Sequence, residues 1–447
     1  MRGPSSSHSA ASVRIGRLAR DLCGGDPDSV LIEFDTLGSL ATTHESQGSD
    51  MGLFGGLLGW EADDERLPDS GAALRDAGCE VEVRLAELND PHPNTYNLTL
   101  RRADEECRLV AVSTGGGMME VREIDGTPVT LHGDRAVTVL DLAPGAAAAD
   151  VVRALEDVGG VDEVAAASDA VVLALGRDFV ADADVERIPG IARARRLRPV
   201  LPVQSRKDLS VPFLHASEMA RGSNPTERRL SDYALEYEAA RGGIGEDEVL
   251  EKTRRILDVV RGGVREGLAG TAYGDRILPR QSHLYAEKLE RGELHDGGIL
   301  DRAILYVTAL MEVKSSMGVI VAAPTAGACA TFPATCLAAA EAKDASDEET
   351  LRAMLAAGRV GVFVATRSSF AAEVGGCQAE TGAGAAMAAA ALVELAGGSA
   401  AKALSSASHA LQNVLGLVCD PVAARVEAPC LGRNLAGAAH AIAWADV

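Results

Sequence analysis

Ser315-Ser-Met-Gly-Val-Ile-Val-Ala-Ala-Pro-Thr-Ala-Gly-Ala-Cys-Ala-Thr-Phe-Pro-Ala-Thr-Cys-Leu-Ala-Ala-Ala340 carries no charged side chain, and its reading separates two kinds of protein. The stretch exceeds the roughly 20 apolar residues that a membrane-spanning helix needs. Pro324, Gly327 and Pro333 interrupt it, however, and proline inside a helix removes a backbone donor and clashes with the preceding turn. It therefore reads as a buried loop followed by a buried helix, with no membrane span. An uncharged loop of this kind belongs inside a protein core, so this half of the chain is expected to be helical and close-packed.

Composition agrees. The 447 residues exceed one ordinary core, so two or three domains are expected, and 47% hydrophobic content is ample to pack them. Aromatics are only 3% of the chain, while alanine and glycine dominate its last third, which favours helices in close contact over a β-sandwich. A formal charge of −22 with no long Lys/Arg run excludes a phosphate backbone as partner, so no nucleic acid is expected. Many carboxylates beside six lysines fit a salt-rich cytoplasm or a GC-rich genome equally well. Met1 to Arg20 lacks the apolar core of a signal peptide, which points to the cytoplasm, where the eight cysteines stay reduced.

Before the uncharged stretch the pattern changes twice. Residues 1 to about 125 mix a helix near Ser12 to Asp21, an apolar run Val30 to Phe34, and a glycine-rich helix near Met51 to Leu58. Period-two strands follow at Val81 to Leu85, Tyr96 to Arg101 and Cys107 to Ser113. Gly115, Gly116 and Gly117 read as the turn that ends this α+β domain, since side chains there would obstruct positive φ or close backbone approach. From Ala136 to Leu201 the order strand, helix, strand, strand, helix, strand predicts a small ferredoxin-like module. Pro202 to Ser210 reads as a linker, and helical periodicity from Ser231 onward is broken by Gly/Pro loops that hold most of the cysteines. The fold class is thus α+β: an α+β domain over 1–132, a ferredoxin-like module over 133–203 and an all-α domain over 204–447.

Three cysteines stand in loop contexts: Cys377 in Glu373-Val-Gly-Gly-Cys-Gln-Ala-Glu380, Cys419 in Leu417-Val-Cys-Asp-Pro421, and Cys430 in Ala428-Pro-Cys-Leu-Gly-Arg433. Irregular backbone with free N–H groups near sulfur suits cluster ligation. Spacings of 42 and 11 residues match no zinc finger, and on spacing alone three buried structural cysteines are the simpler reading. Ser5-Ser6-Ser7-His8 ahead of a helix is either a carboxylate cradle or an ordinary N-cap.

These words resemble those of a known family. Gly375-Gly-Cys-Gln-Ala-Glu380, Gly416-Leu-Val-Cys-Asp-Pro-Val-Ala423 and Pro429-Cys followed by Arg433-Asn434 are similar to the α part of the bacterial iron-sulfur L-serine dehydratases. The likeness runs upstream through Met317 to Cys329. Gly3-Pro-Ser-Ser-Ser-His8, Gly38-Ser-Leu-Ala41, His92-Pro-Asn-Thr95 and the triple glycine resemble that family's β part. The resemblance implies that Cys377, Cys419 and Cys430 hold a [4Fe-4S] cluster whose remaining iron acts as a Lewis acid on the substrate hydroxyl, while a base removes the Cα proton. L-Serine would then give pyruvate and ammonia. The resemblance further implies that Ser5, Ser6, Ser7, His8, Asn94, Thr325 and Gly327 bind the small amino-acid substrate, whereas Cys329 and Cys336, outside the ligand positions, serve packing. It also implies an ACT-like regulatory role for the middle module, with an amino-acid effector near Gly145, and a homodimer.

Three departures stand against the resemblance. Glu45-Ser-Gln-Gly-Ser-Asp50 places Gln47 where the family's base histidine is usual, and glutamine accepts no proton; His44 and His92 are then the candidates for base or acid. Thr366-Arg-Ser-Ser-Phe370 introduces Arg367, to pair either with a second anionic group of the substrate or with Glu373 or Glu380. Lys314-Ser-Ser316 stands where small residues with an asparagine are usual. The added cations keep open a substrate more anionic than serine, as well as cysteine or threonine. A catalytically silent amino-acid sensor is the reading from another class, and a pyridoxal-phosphate lyase lacks a convincing Schiff-base lysine. The first helix begins close to Met1, so a short leading strand is missing or the true start lies upstream.

Overall fold

The computed structural model describes residues 1–447 except Arg206, Ser223, Tyr273, Asp275 and Ala424. The chain forms two compact units, one spanning Ser7–Leu209 and the other joining Met1–Ser6 to Ser210–Val447.

In the first unit the strands β1 (Ser29–Asp35), β2 (Glu80–Ala86), β3 (Thr95–Arg102), β4 (Glu105–Gly115), β5 (Met118–Ile124) and β6 (Thr127–Leu131) form one sheet. Their order is β2-β1-β3-β4-β5-β6. Only β1 and β2 run parallel. The helices Ala11–Leu22 and Ser49–Leu57 pack on each other, and Ile15, Leu18 and Leu22 share one core with Ile32, Phe34, Leu98 and Leu109. Glycine makes the helix pair this close: a Cβ on Gly56 would run into the Val13 carbonyl, and one on Gly52 into Ser12 and Ser9. The triple glycine does not end the sheet. Gly115, Gly116 and Gly117 have φ of 97°, 63° and 84° and fold β4 back onto β5, so two more strands follow.

The same unit holds β7 (Ala136–Leu142), β8 (Val161–Ser168), β9 (Val171–Gly176) and β10 (Ile191–Leu197), with helices Ala148–Leu155 and Asp182–Arg187 in the connections. Their order β10-β7-β9-β8, antiparallel throughout, is that of a ferredoxin-like sheet. Leu140, Val151, Leu155, Val172 and Ile188 give it a core of its own.

The second unit is helical. Its centre is Ala383–Leu395, an alanine-rich helix buried on every side but its C-terminal end, in contact with Thr331–Ala342, Asp347–Ala365, Ala400–Gln412 and Glu427–Asp446. Alanine lets four neighbours approach one helix, as the composition leads one to expect. The uncharged stretch begins at the end of helix Ile299–Ser315, runs as an irregular segment, and resumes as Thr331–Ala342 with Pro333 in the first turn, where no intrahelical donor is lost. Among the described residues no helix is long and apolar enough to cross a membrane. Met1–Ser6 belongs to this unit: Arg2 bridges Val319, and the Met1 ammonium donates to the Ile320 carbonyl at 3.0 Å.

Candidate functional site

In the helical unit the thiol loops are tied together by backbone. Gly376, at φ +70°, has no room for a Cβ against the Leu417 carbonyl, to which the Gln378 N–H also donates at 3.1 Å. Gly416 N–H returns a bond to Gln378 Oε1 at 2.7 Å. The Cys377 and Cys419 thiols consequently hydrogen-bond each other, which makes Cys419 the more acidic of the pair. Cys430, in the first turn of Glu427–Asp446, is electrostatically coupled to both, and burial pushes its thiol up to about 11. Arg433, one turn on, pairs with Asp420 at 2.8 Å and donates to Cys377.

Asn434 fastens the Pro324 segment to this thiol centre. Its side-chain oxygen accepts from Ala330 N at 3.2 Å, Thr331 N at 2.8 Å and Thr331 Oγ1 at 2.7 Å, while its nitrogen donates to Gly327 O and Cys430 O, both at 2.7 Å. Gly327 is required because a Cβ there would lie 2.6 Å from the Glu380 carboxylate. Thr325 hydrogen-bonds that same carboxylate. Glu380 as a residue is partly exposed, but its carboxyl end is enclosed; burial pushes it up to about 7, against the Thr325 bond and the Lys314 charge. Cys329 and Cys336 are buried, as packing requires, though Cys329 also borders the site through Lys314, Cys430 and Glu380.

The remaining expectations for this unit divide. Ser6 Oγ accepts the Ala326 N–H at 3.2 Å, so it braces the loop that carries Thr325. It is not an N-cap: Ser6–Ala10 is a π-helical turn running straight into Ala11–Leu22, whose cap residue makes no side-chain bond. Arg367 is exposed, and among the described residues no ion pair joins it to Glu373 or Glu380.

In the α+β unit a chain of polar contacts collects His8, Asn94 and His92. His8 Nε2 lies 2.9 Å from Thr43 Oγ1, which donates to Ser39 O at 2.6 Å. The Ser39 hydroxyl donates to Asn94 Oδ1, and Asn94 N donates to His92 Nδ1 at 3.2 Å. Asn94 Nδ2 is buried with no hydrogen-bond partner among the described residues. His44 follows Thr43 in the same turn and faces Asp50 at 2.8 Å, with its ring 5.1 Å from Phe34. The bond to Asp50 raises the His44 pKa above its ordinary value. Gln47 is buried. Asp50, Thr43, Glu380 and Asn434 join these networks without the sequence having assigned them such contacts; Asp50, Glu380 and Asn434 sit within quoted words, and Glu380 is read there only as a partner of Arg367.

An α+β unit with a histidine paired to a carboxylate and a helical unit in which the Cys377 and Cys419 loops are tied together make a chain of two unlike halves. Residues 213–447 match the family described as serine dehydratase alpha chain. The chain is 32% identical over 235 residues to the probable L-serine dehydratase alpha chain of Bacillus subtilis, covering 53% of this chain and 78% of that one. To the probable beta chain of the same organism it is 37% identical over 134 residues, covering 30% of this chain and 60% of that one. An L-serine dehydratase of Streptomyces coelicolor is 29% identical over 454 aligned positions, covering 98% of this chain and 86% of its own length. The chain belongs to the serine dehydratase family.

Proposed function

We propose that this protein converts L-serine to pyruvate and ammonia by β-elimination, with a [4Fe-4S] cluster held by Cys377, Cys419 and Cys430. The observation that carries the reading is the approach of these loop thiols to one another beside Thr325 and the Glu380 carboxyl, inside the segment that matches the family. Soft thiol donors suit an iron-sulfur cluster, although among the described residues no three His, Cys, Asp or Glu side chains, these cysteines included, are grouped as a metal site. When bound, the cluster supplies a Lewis acid for the departing hydroxyl.

The chain's own residues do the rest. His44 takes the Cα proton, with His92 as the second candidate, and Asp50 orients the His44 ring. Ser5, Ser6, Ser7, His8 and Asn94 supply hydrogen bonds for the substrate. Loss of the Cα proton and of the β-hydroxide, together one water, gives aminoacrylate, which tautomerises and hydrolyses to pyruvate and ammonia. The reading extends to a cytoplasmic homodimer, with an amino-acid effector at the Gly145 turn of the ferredoxin-like, ACT-like module, where φ is +86°.

The test is anaerobic purification with iron and sulfide counting, then keto-acid and ammonia assays on L-serine, L-cysteine, L-threonine and anionic β-substituted amino acids. About four irons with pyruvate from L-serine supports the reading. Iron with turnover only on another substrate replaces serine, and protein with neither iron nor turnover overturns the enzyme.

A further inference from the structure

The chain carries a formal charge of −22, yet one cleft of the α+β unit has a wall of the opposite sign. Arg17, Arg20, Asp21, Leu58, Gly59 and Arg198 line an open space of about 260 Å³, three cations against one carboxylate. The elements that meet there come from separate parts of the sequence. Helix Ala11–Leu22 supplies Arg17 and Arg20 one turn apart, helix Ser49–Leu57 leads into Leu58 and Gly59, and Arg198 follows β10. Gly59, at φ +78°, leaves its side of the cleft without a side chain. Arg14, one turn before Arg17, adds a further positive charge close enough for the two to repel.

Each of the three lining guanidiniums has a partner, and the partners differ in kind. Arg198 holds Asp21, whose side chain is 6% exposed, through its backbone N–H, Nε and Nη2, so the one acid of the wall is already neutralised. Arg17 and Arg20 instead reach Glu61 at 2.6 Å and Asp26 at 2.7 Å, carboxylates 63% and 76% exposed that do not line the cleft. Exposed pairs of this kind contribute little to stability, so another anion can take their place. A guanidinium has five N–H donors, of which Glu61 engages one on Arg17. Two such forks one turn apart, in a cleft of one sign, suit an oxyanion. A phosphate presents enough oxygens for both, whereas a carboxylate is saturated by one. We propose that this cleft binds a phosphate group, received by Arg17 and Arg20 in exchange for Glu61 and Asp26. Its volume, just under the roughly 300–1,000 Å³ of small-molecule sites, leaves room for a few carbons beyond the phosphate. The site is independent of the lyase reading.

Arginines that merely offset the negative C-terminal end of helix Ala11–Leu22 would bind no ligand. The experiment is calorimetry on the full-length protein at about 0.01 M and about 0.15 M salt, with glycerol 3-phosphate and inorganic phosphate as probes. It compares wild type with Arg17→Gln, Arg20→Gln and Glu61→Gln. The expected result for wild type is a Kd of about 1 mM or tighter at the lower salt, weakened at the higher. Arg17→Gln and Arg20→Gln should each weaken binding by on the order of tenfold, while Glu61→Gln, which releases Arg17, should tighten it. Tighter binding of glycerol 3-phosphate assigns the site to an ester and equal binding assigns it to the free ion; either supports a phosphate site. Glu61 is exposed, so its variant serves if the arginine variants do not fold. Wild type that binds neither probe overturns the proposal. So does binding that both arginine variants retain unchanged, or a Glu61→Gln variant that binds no tighter than wild type.

Discussion

Asp50 raises the His44 pKa, and on the proposed lyase reading it sets the pH at which His44 can take a proton. Their side chains are only 16% and 17% exposed, so the carboxylate works at short range in a partly dry setting. Asp50→Asn keeps the shape and removes the charge, so the His44 pKa should fall in an NMR titration. A histidine that takes the Cα proton makes kcat/KM rise with pH through its pKa, and that limb should move to lower pH in the variant. Stability follows the same linkage. A folded-state pKa raised above the ordinary 6.5 means that the pair's contribution is complete below 6.5 and is lost as pH rises through the folded value. The urea-stability difference between wild type and Asp50→Asn should therefore shrink as pH rises. At the thiols, Cys430→Ala should abolish iron binding and Cys329→Ala should retain it; iron loss in the second variant alone would reverse the ligand assignment. The thiol loops were legible because glycine and proline beside cysteine is a local pattern, while their reading as ligands came from the family resemblance alone. The roles of Asn434 and Glu380 were not, because Asn434 meets its acceptor Gly327 across 107 residues of sequence.

The helix pair Ala11–Leu22 and Ser49–Leu57 depends on backbone contact at Gly16, Gly52 and Gly56. Gly56→Ala places a methyl against the Val13 carbonyl, and such overpacking costs about 1–3 kcal/mol, to be read as a lowered urea midpoint at unchanged slope. Alternation and helical periodicity identified the strands through β4 and the whole ferredoxin-like order, since each is set by residues a few positions apart. The triple glycine was misread because a turn that leaves a sheet and a turn that folds back onto it have the same local chemistry. Only the pairing of Ser113 with Met119 distinguishes them, and that is a tertiary fact. The serine run before the first helix likewise has N-cap composition, but Ser6 is committed to Ala326, far along the chain, and the turn tightens into the helix instead.

Over the whole chain, a formal charge of −22 means that carboxylates repel one another at low ionic strength. Raising salt from about 0.01 M to 0.15 M shortens the screening length from about 30 Å to about 8 Å, so Tm should rise over that range. A flat or falling Tm would show that ion pairs such as Arg195 with Asp125 and Asp141 outweigh the repulsion. The path of the chain has a further consequence. The first six residues complete the helical unit, yet the Met1 ammonium pairs with a carbonyl 319 residues away and Ser6 with an N–H 320 residues away. A ribosome makes this edge before the α+β unit, and must finish that unit before anything exists for the edge to join. A segment made before the α+β unit is placed only after it, and a gene divided near codon 210 would encode two products, the first of which carries an edge of the second.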